Sequence, residues 1–271
     1  MDRRLTPFSG RVAHVSMSGM VDAPLTEGVA AQVIVPVANL RASPGGARDR
    51  QLLLGDAVTV IDHERGHAFV LSAKDGYCGW LAEGDLGQGS APTHWVAVPG
   101  SHLYSGPKVQ APETAGLSLG SRIAVVGAEG AWASTPQGYV PTRHLRPIGD
   151  WVADPVTVAE SLLGTPYLWG GNSRFGVDCS GLVQLSMHAC GRACPGDSDM
   201  QMALGQPTPP TEPMRRGDLI FWKGHVALAV DRDRIIHANG HTMSVAYEGI
   251  EDCIARVLAD GGGPILARRR V

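Results

Sequence analysis

One order of short apolar runs and turn residues is written twice in the first half of the chain, and that repeat limits the fold more than any other feature. Val33-Ile34-Val35-Pro36 and Asn39-Leu40-Arg41 lead through a Pro/Gly-rich loop to Leu52-Leu53-Leu54-Gly55. Val58-Thr59-Val60-Ile61, His67-Ala68-Phe69-Val70 and Asp75-Gly76-Tyr77-Cys78-Gly79-Trp80-Leu81 follow. About 60 residues later His102-Leu103-Tyr104 answers Asn39-Leu40-Arg41, Leu119-Gly120 answers Leu54-Gly55, and Ile123-Ala124-Val125-Val126 answers Val58 to Ile61. Gly130 to Ala133 answers Gly66 to Phe69, and Gly138-Tyr139-Val140 is aligned with Gly76-Tyr77. Short alternating strands between turn residues, repeated once, predict two small all-β modules in tandem. On this alignment the second copy has lost the tryptophan and reads as the more structural of the two.

The text changes near Pro147-Ile148-Gly149-Asp150. Asp154-Pro155 supplies an N-cap and a proline at the first helical position, with Val156, Ala159, Leu162 and Leu163 as the buried stripe. Asp178 caps a second helix expected from Cys179 to about Cys190, and Asp197-Ser198-Asp199 opens a short one through Leu204. Leu219 to Trp222, His225 to Val230 and Arg234 to Ala238 then read as strands. Helices followed by antiparallel strands make an α+β domain. The expected division is an extension at 1–30, β modules at 31–90 and 91–149, and the α+β domain at 150–271.

The chemistry is carried by Cys179. A cysteine in the first turn of a helix sits at the positive end of the helix dipole, which favours thiolate over thiol. Tyr167-Leu168-Trp169-Gly170-Gly171, just upstream, lets backbone approach a ligand beside the sulfur. A nucleophilic thiol needs a base that titrates near neutrality. His225 opens one strand and His237 ends the next, and a turn at Asp231–Asp233 brings position 237 within a residue or two of the partner of 225 or 227. His225 can then face the sulfur while His237 orients the His225 ring. Without this context a helical cysteine is a small buried hydrophobe and a strand-end histidine is incidental; His188, His241 and His144 are read that way.

Other classes find little support. The net charge is −3 and the basic residues cluster only at Arg268-Arg269-Arg270, which argues against nucleic acid and reads as a solvated tail. Five cysteines leave at least one thiol unpaired. The charged opening Met1–Pro7 has no apolar run behind it, and no run reaches membrane-spanning length, so reduced thiols in a cytoplasm are the expectation. Cys190, Cys194 and His188 lack the paired spacing of a zinc site, so neither a metal nor another cofactor is expected. A Cys190–Cys194 disulfide has no motif behind it.

Asp178-Cys179-Ser180-Gly181-Leu182-Val183, Gly217-Asp218-Leu219-Ile220-Phe221-Trp222, Gly224-His225-Val226-Ala227-Leu228 and Ile236-His237-Ala238 together resemble the NlpC-type cell-wall cysteine peptidases. The β modules resemble bacterial SH3-like domains. The resemblance implies a papain-like α+β domain, helices packed on an antiparallel sheet, behind two SH3-like barrels. It implies Cys179 as nucleophile, His225 as base and His237 as third member. The nearest branch comprises γ-D-glutamyl-L-diamino acid endopeptidases, which cut peptidoglycan stem peptides after D-glutamate and select a free N-terminal L-alanine. On that branch Tyr167, Asp178, Ser180 and Ser198 line the pocket for the amino terminus and Tyr77 closes it. The branch's further acidic residue aligns poorly, with Asp49 the nearest and Ala47 close to its place. Such a pocket passes only short free peptides, which implies recycling of wall peptides. Two rival readings stand beside this one. The first is a wall-peptide-binding protein with an inert hydrolase domain, separable by iodoacetamide labelling of Cys179. The second is a thiol amidase or acyltransferase on another substrate.

Overall fold

The structure, a computed structural model, describes residues 1–271 and divides into two compact units, Met1–Ile148 and Gly149–Val271. In the first unit, Val37–Arg41 pairs with Arg48–Leu53 on one side and with Cys78–Ala82 on the other. His67–Ser72, Ala57–Glu64, Val29–Val33 and Leu86–Gly87 complete a seven-stranded sheet. The strand Val29–Val33 therefore begins inside the stretch expected as an extension. The residues before it are tied to this sheet by Arg3, which grips Asp49 at 2.6 and 2.9 Å, and by Ser9 and Arg11, which both bond Asp62. Val12 packs onto the cluster of Ile61, Phe69, Cys78 and Trp80.

The second copy repeats the path. Gly100–Tyr104 pairs with Glu113–Ser118 and meets Gly138–Pro141, with Trp132–Thr135 and Gly127–Glu129 beyond. A bulge falls after Leu40 in one copy and after Leu103 in the other. Gly55 and Gly120 both sit at left-handed φ, +82° and +88°. A Cβ on Gly55 would collide with the Arg122 carbonyl. His94–Val96, Arg122–Ile123 and Leu145–Pro147 form a separate three-stranded sheet here, whereas the first copy is continuous. The copies are fused: Leu54 packs into the core of Val96, Leu103, Leu117, Ile123 and Val140, and its carbonyl accepts the Arg122 N–H at 2.8 Å.

The register corrects the alignment of the copies. Arg41 bridges Trp80, and its counterpart Tyr104 bridges Tyr139. Ala68 faces Leu81, and Ala133 faces Val140. Gly138-Tyr139-Val140 therefore answers Gly79-Trp80-Leu81, not Gly76-Tyr77, and Tyr139 stands in the tryptophan's place. The missing piece is the loop before it. The first copy joins Leu71 to Cys78 through Ser72–Tyr77, and the second joins Thr135 to Gly138 through Pro136-Gln137 alone.

In the second unit, α1 (Pro155–Ser161) starts at Asp154, whose carboxylate accepts the Val156 N–H at 2.9 Å. It packs on α2 (Cys179–Ala189), which is buried almost throughout. Gly191 ends α2 at φ +69°, with Arg192 N–H bonding the Met187 carbonyl and Gly191 N–H the His188 carbonyl. A short α3 (Ser198–Gln201) follows; Asp197 precedes it but makes no capping bond. The antiparallel sheet runs Gln206–Pro207, Ala267–Arg270, Leu219–Trp222, His225–Ala229, Arg234–Asn239, Ser244–Gly249. Last comes α4 (Ile250–Ala259), which seals one sheet face with Ile250 and Cys253 against Ile220, Trp222, Ala227, Ala229 and Ile235.

The terminal arginines are no solvated tail. They form a strand against Leu219–Phe221, and Arg270 pairs with Asp218 and Glu212, both at 2.9 Å. The acidic partners are far upstream in sequence, so only the fold reveals the pairing.

Candidate active site

Asp178 builds the start of α2 by spending its carboxylate on the backbone. Oδ1 accepts the Gly181 N–H at 2.6 Å and the Ser180 hydroxyl at 3.0 Å, while Oδ2 accepts the Gly170 N–H at 2.9 Å. One side chain thus fixes the helix start and the glycine run before it. Tyr167, half-buried, is anchored through its N–H to the Met243 carbonyl, and its phenol is pushed up to about 12 by burial, with Cys179 and Asp178 adding to that.

The strands carrying the histidines diverge where the site lies. They pair at Leu228–Ile236 and Ala229–Ile235, with no ladder pair beyond Leu228–Ile236. Continued, that register sets His237 opposite Ala227. In the opening, Cys179 Sγ lies 3.9 Å from the Gly224 carbonyl and receives the Val226 N–H. The sulfur is thus bracketed by the backbone on either side of His225. His225 Nε2 meets His237 Nδ1 at 2.9 Å, and the rings stand edge to face at 5.1 Å. His225 Nδ1 is the ring nitrogen this contact leaves over.

The electrostatics correct the expected resting thiolate. Burial, with Asp178 adding to it, pushes the Cys179 thiol up to about 12. The N–H groups of Val226, Ser180 and Cys179 pull the other way and do not win. The His225 ring keeps some accessible surface but is surrounded densely enough that burial, then His237, drives its pKa down to about 3. His237 falls to about 4, again by burial, with Glu248 opposing. Thiol and imidazole are both neutral at rest, so forming the nucleophile needs a proton transfer inside the site rather than a standing ion pair.

Three residues escaped the sequence. Glu248 Oε2 lies 3.0 Å from His237 Nε2, a carboxylate beside a neutral ring. Arg256 grips Glu248 at 2.8 Å through both Nε and Nη2 and holds its carboxyl down to about 2. Gln201, fully buried, donates to the Ser180 and Pro195 carbonyls, both at 3.0 Å, and ties α3 and half-buried Ser198 to α2. Strand register was the only signal for Glu248: His237 pairs with Ala246, two positions away on the same face.

His237, Glu248 and Cys253 place ligand-type atoms within 4.8 Å of one another. Arg256 Nη2, at 2.8 Å from Glu248 and 3.6 Å from Cys253 Sγ, already supplies the positive charge there. Neither Cys190 nor Cys194 is in a disulfide. Of the expected site residues, Tyr167, Asp178, Cys179, Ser180, Ser198, His225 and His237 belong to the second unit. Tyr77 and Asp49 belong to the first, where Tyr77 is buried with the Arg50 guanidinium 5.0 Å above its ring and Asp49 is engaged by Arg3.

Residues 164–254, spanning the cysteine and both histidines, match the NlpC/P60 family, and residues 40–86 match the bacterial dipeptidyl-peptidase Sh3 domain. The chain is a cysteine peptidase that carries an NlpC/P60 domain over those residues. The peptidase is 28% identical over 224 residues to the gamma-D-glutamyl-L-lysine dipeptidyl-peptidase of Bacillus cereus, covering 70% of this chain and 67% of that one. It is 26% identical over 235 residues to dipeptidyl-peptidase 6 of Lysinibacillus sphaericus, covering 76% and 86%. Its fold resembles the crystal structure of an NlpC/P60 family protein from Bacillus cereus, with a TM-score of 0.74 at 23% identity, covering 89% of this chain and 99% of that one. No helix is long and apolar enough to cross a membrane.

Proposed function

We propose that the peptidase hydrolyses the γ-D-glutamyl–diamino acid bond of short peptidoglycan peptides with a free N-terminal L-alanine, with Cys179 as nucleophile, His225 as base and His237 as third member. The 2.9 Å contact between the two histidines beside a sulfur seated at the backbone of residues 224–226 carries this reading. Cys179 Sγ attacks the γ-carbonyl as its proton passes to His225. The oxyanion is met by the Cys179 N–H at the start of α2. His225 then protonates the departing amine, giving a thioester, and takes a proton from the water that hydrolyses it. Because both groups start neutral, the charge separation is made only during attack.

Tyr167, Asp178, Ser180 and Ser198 belong to this proposal as the groups that receive the ammonium end of the substrate, and Tyr77 belongs to it as a substrate-binding residue implied by the family resemblance. The names of the relatives support the substrate class, as does the match of residues 40–86 to a dipeptidyl-peptidase Sh3 domain. Two SH3-like modules, the second at 91–149, and a cytoplasmic role in wall-peptide recycling complete the reading. Incubation with L-Ala-γ-D-Glu-L-Lys, with its meso-diaminopimelate counterpart and with the N-acetylated form of each tests it. Release of the diamino acid from a free-amine peptide alone is expected; equal cleavage of free and acetylated forms removes the amine pocket, and cleavage of none removes the substrate class.

A further inference from the structure

We propose that Glu248 is a positioning residue that sets the proton arrangement of the whole histidine pair, an inference that rests on the catalytic roles proposed above. An ionised carboxylate only accepts. With Arg256 clamped across both its oxygens, Glu248 stays ionised throughout the working pH range. A neutral imidazole 3.0 Å from that carboxylate is stabilised with its proton on the near nitrogen, Nε2. His237 Nδ1 is then a bare acceptor, and the 2.9 Å contact requires His225 Nε2 to carry the donated hydrogen. His225 is neutral, so its other nitrogen, Nδ1, is left without a proton, which is the form that accepts one from a thiol. The opposite tautomers satisfy the same histidine contact but leave a proton on His225 Nδ1, where it blocks the base. Glu248 decides between two arrangements that the rings alone do not distinguish. It does so without touching the sulfur or the substrate.

Its place in the fold suits this task. Glu248 comes from the strand that pairs with the His237 strand along six residues, and Arg256 comes from α4, which follows directly. Against them lie Asp260, 3.8 Å from Arg256, and the Cys253 thiol, which burial and Glu248 hold up to about 12 and so keep neutral.

The test uses the full chain with 15N-labelled histidine. In a Cys179→Ala protein with Glu248 intact, two-bond 1H–15N couplings at pH 7 are expected to place protons on His237 Nε2 and His225 Nε2; a proton on His237 Nδ1 overturns the proposal. Glu248→Gln, whose amide can donate to His237 Nε2, is expected to move the His237 proton to Nδ1. It should lower kcat between about tenfold and a thousandfold, by analogy with other lost orienting partners, while KM stays within about twofold. A kcat unchanged in folded Glu248→Gln, alongside an inactive His237→Ala, rejects the role of Glu248 and leaves the catalytic reading standing. Full turnover by His237→Ala or Cys179→Ala rejects that reading and this proposal together.

Discussion

Two buried clusters, one in each unit, treat polar groups in opposite ways. The first unit hides formal charges: Arg50 and Asp75 stand 4.0 Å apart with side chains 3% and 0% exposed, and the Tyr77 ring lies under the guanidinium. The catalytic cluster of the second hides neutral titratable groups, Cys179, His225 and His237, and keeps the charges beside them, Glu248 and Arg256, toward the outside with side chains 18% and 22% exposed. A buried ion pair is a fixed feature whose partners depend on each other and whose protons do not move. Buried neutral acids and bases hold a proton that can be relocated at little cost in net charge. The same physics of desolvation thus yields a structural clamp in one unit and a proton-transfer site in the other. The repeat sharpens the point, because the second β copy lacks the six-residue loop that carries Asp75 and Tyr77 and replaces it with Pro136-Gln137.

Four experiments test this contrast. The largest effect is expected for Cys179→Ala, which should lower turnover by about 10⁴-fold or more while leaving the melting temperature close to that of the parent. Steady-state hydrolysis with calorimetry checks it, and parallel loss of both activity and stability would make the thiol structural. Asp75→Ala should do the reverse. It removes the carboxylate 4.0 Å from the buried Arg50 guanidinium and should cost about 3–5 kcal/mol in denaturant unfolding. Arg50→Met combined with Asp75→Leu should recover much of that loss, whereas additive losses would contradict a coupled pair.

The third effect is smaller and depends on pH. The folded-state pKa values of His225 and His237 are depressed below 6.5, so the unfolded chain binds protons first. Their contribution to stability is complete above about pH 6.5 and is lost as pH falls toward 4 and then 3. Chemical-denaturation midpoints measured from pH 7 to 4 should fall, and His225→Asn should flatten the slope; an equal slope in that variant would show that these rings are not the source. The smallest structural effect is expected for Tyr77→Phe, which keeps the ring beneath Arg50 and should change stability by less than about 1 kcal/mol. Under the proposed substrate role it should still raise KM for the free-amine peptide, so unchanged KM would confine Tyr77 to packing.

What could be read from the sequence was whatever the chain specifies over short distances. Asp178, Cys179 and Gly181 lie within one helical turn, so cap and thiol were legible together, as was the hairpin that joins the histidine strands across Asp231–Asp233. Glu248 and Arg256 were not, because their meaning depends on a further strand and on a helix without a capping side chain: Gly249 precedes α4 and only Glu251 and Asp252 mark its first turn. The resting protonation of Cys179 was misjudged for a related reason. The helix start is local, but the burial that overrides it comes from packing. The displaced Tyr139 alignment has a different origin, since a deletion inside a repeat cannot be located from spacing when two glycine–aromatic pairs lie three residues apart.

The rung missing from the sheet beyond Leu228 has a consequence for how this site tolerates change. The sulfur is held there by a peptide group, which every residue but proline supplies in identical form. Replacing the Val226 side chain with another apolar group therefore leaves the sulfur's anchor intact, while Val226→Pro deletes it outright. At position 226 the seat of the reactive atom is therefore set by the main chain, and any apolar side chain that fits the buried site leaves it in place.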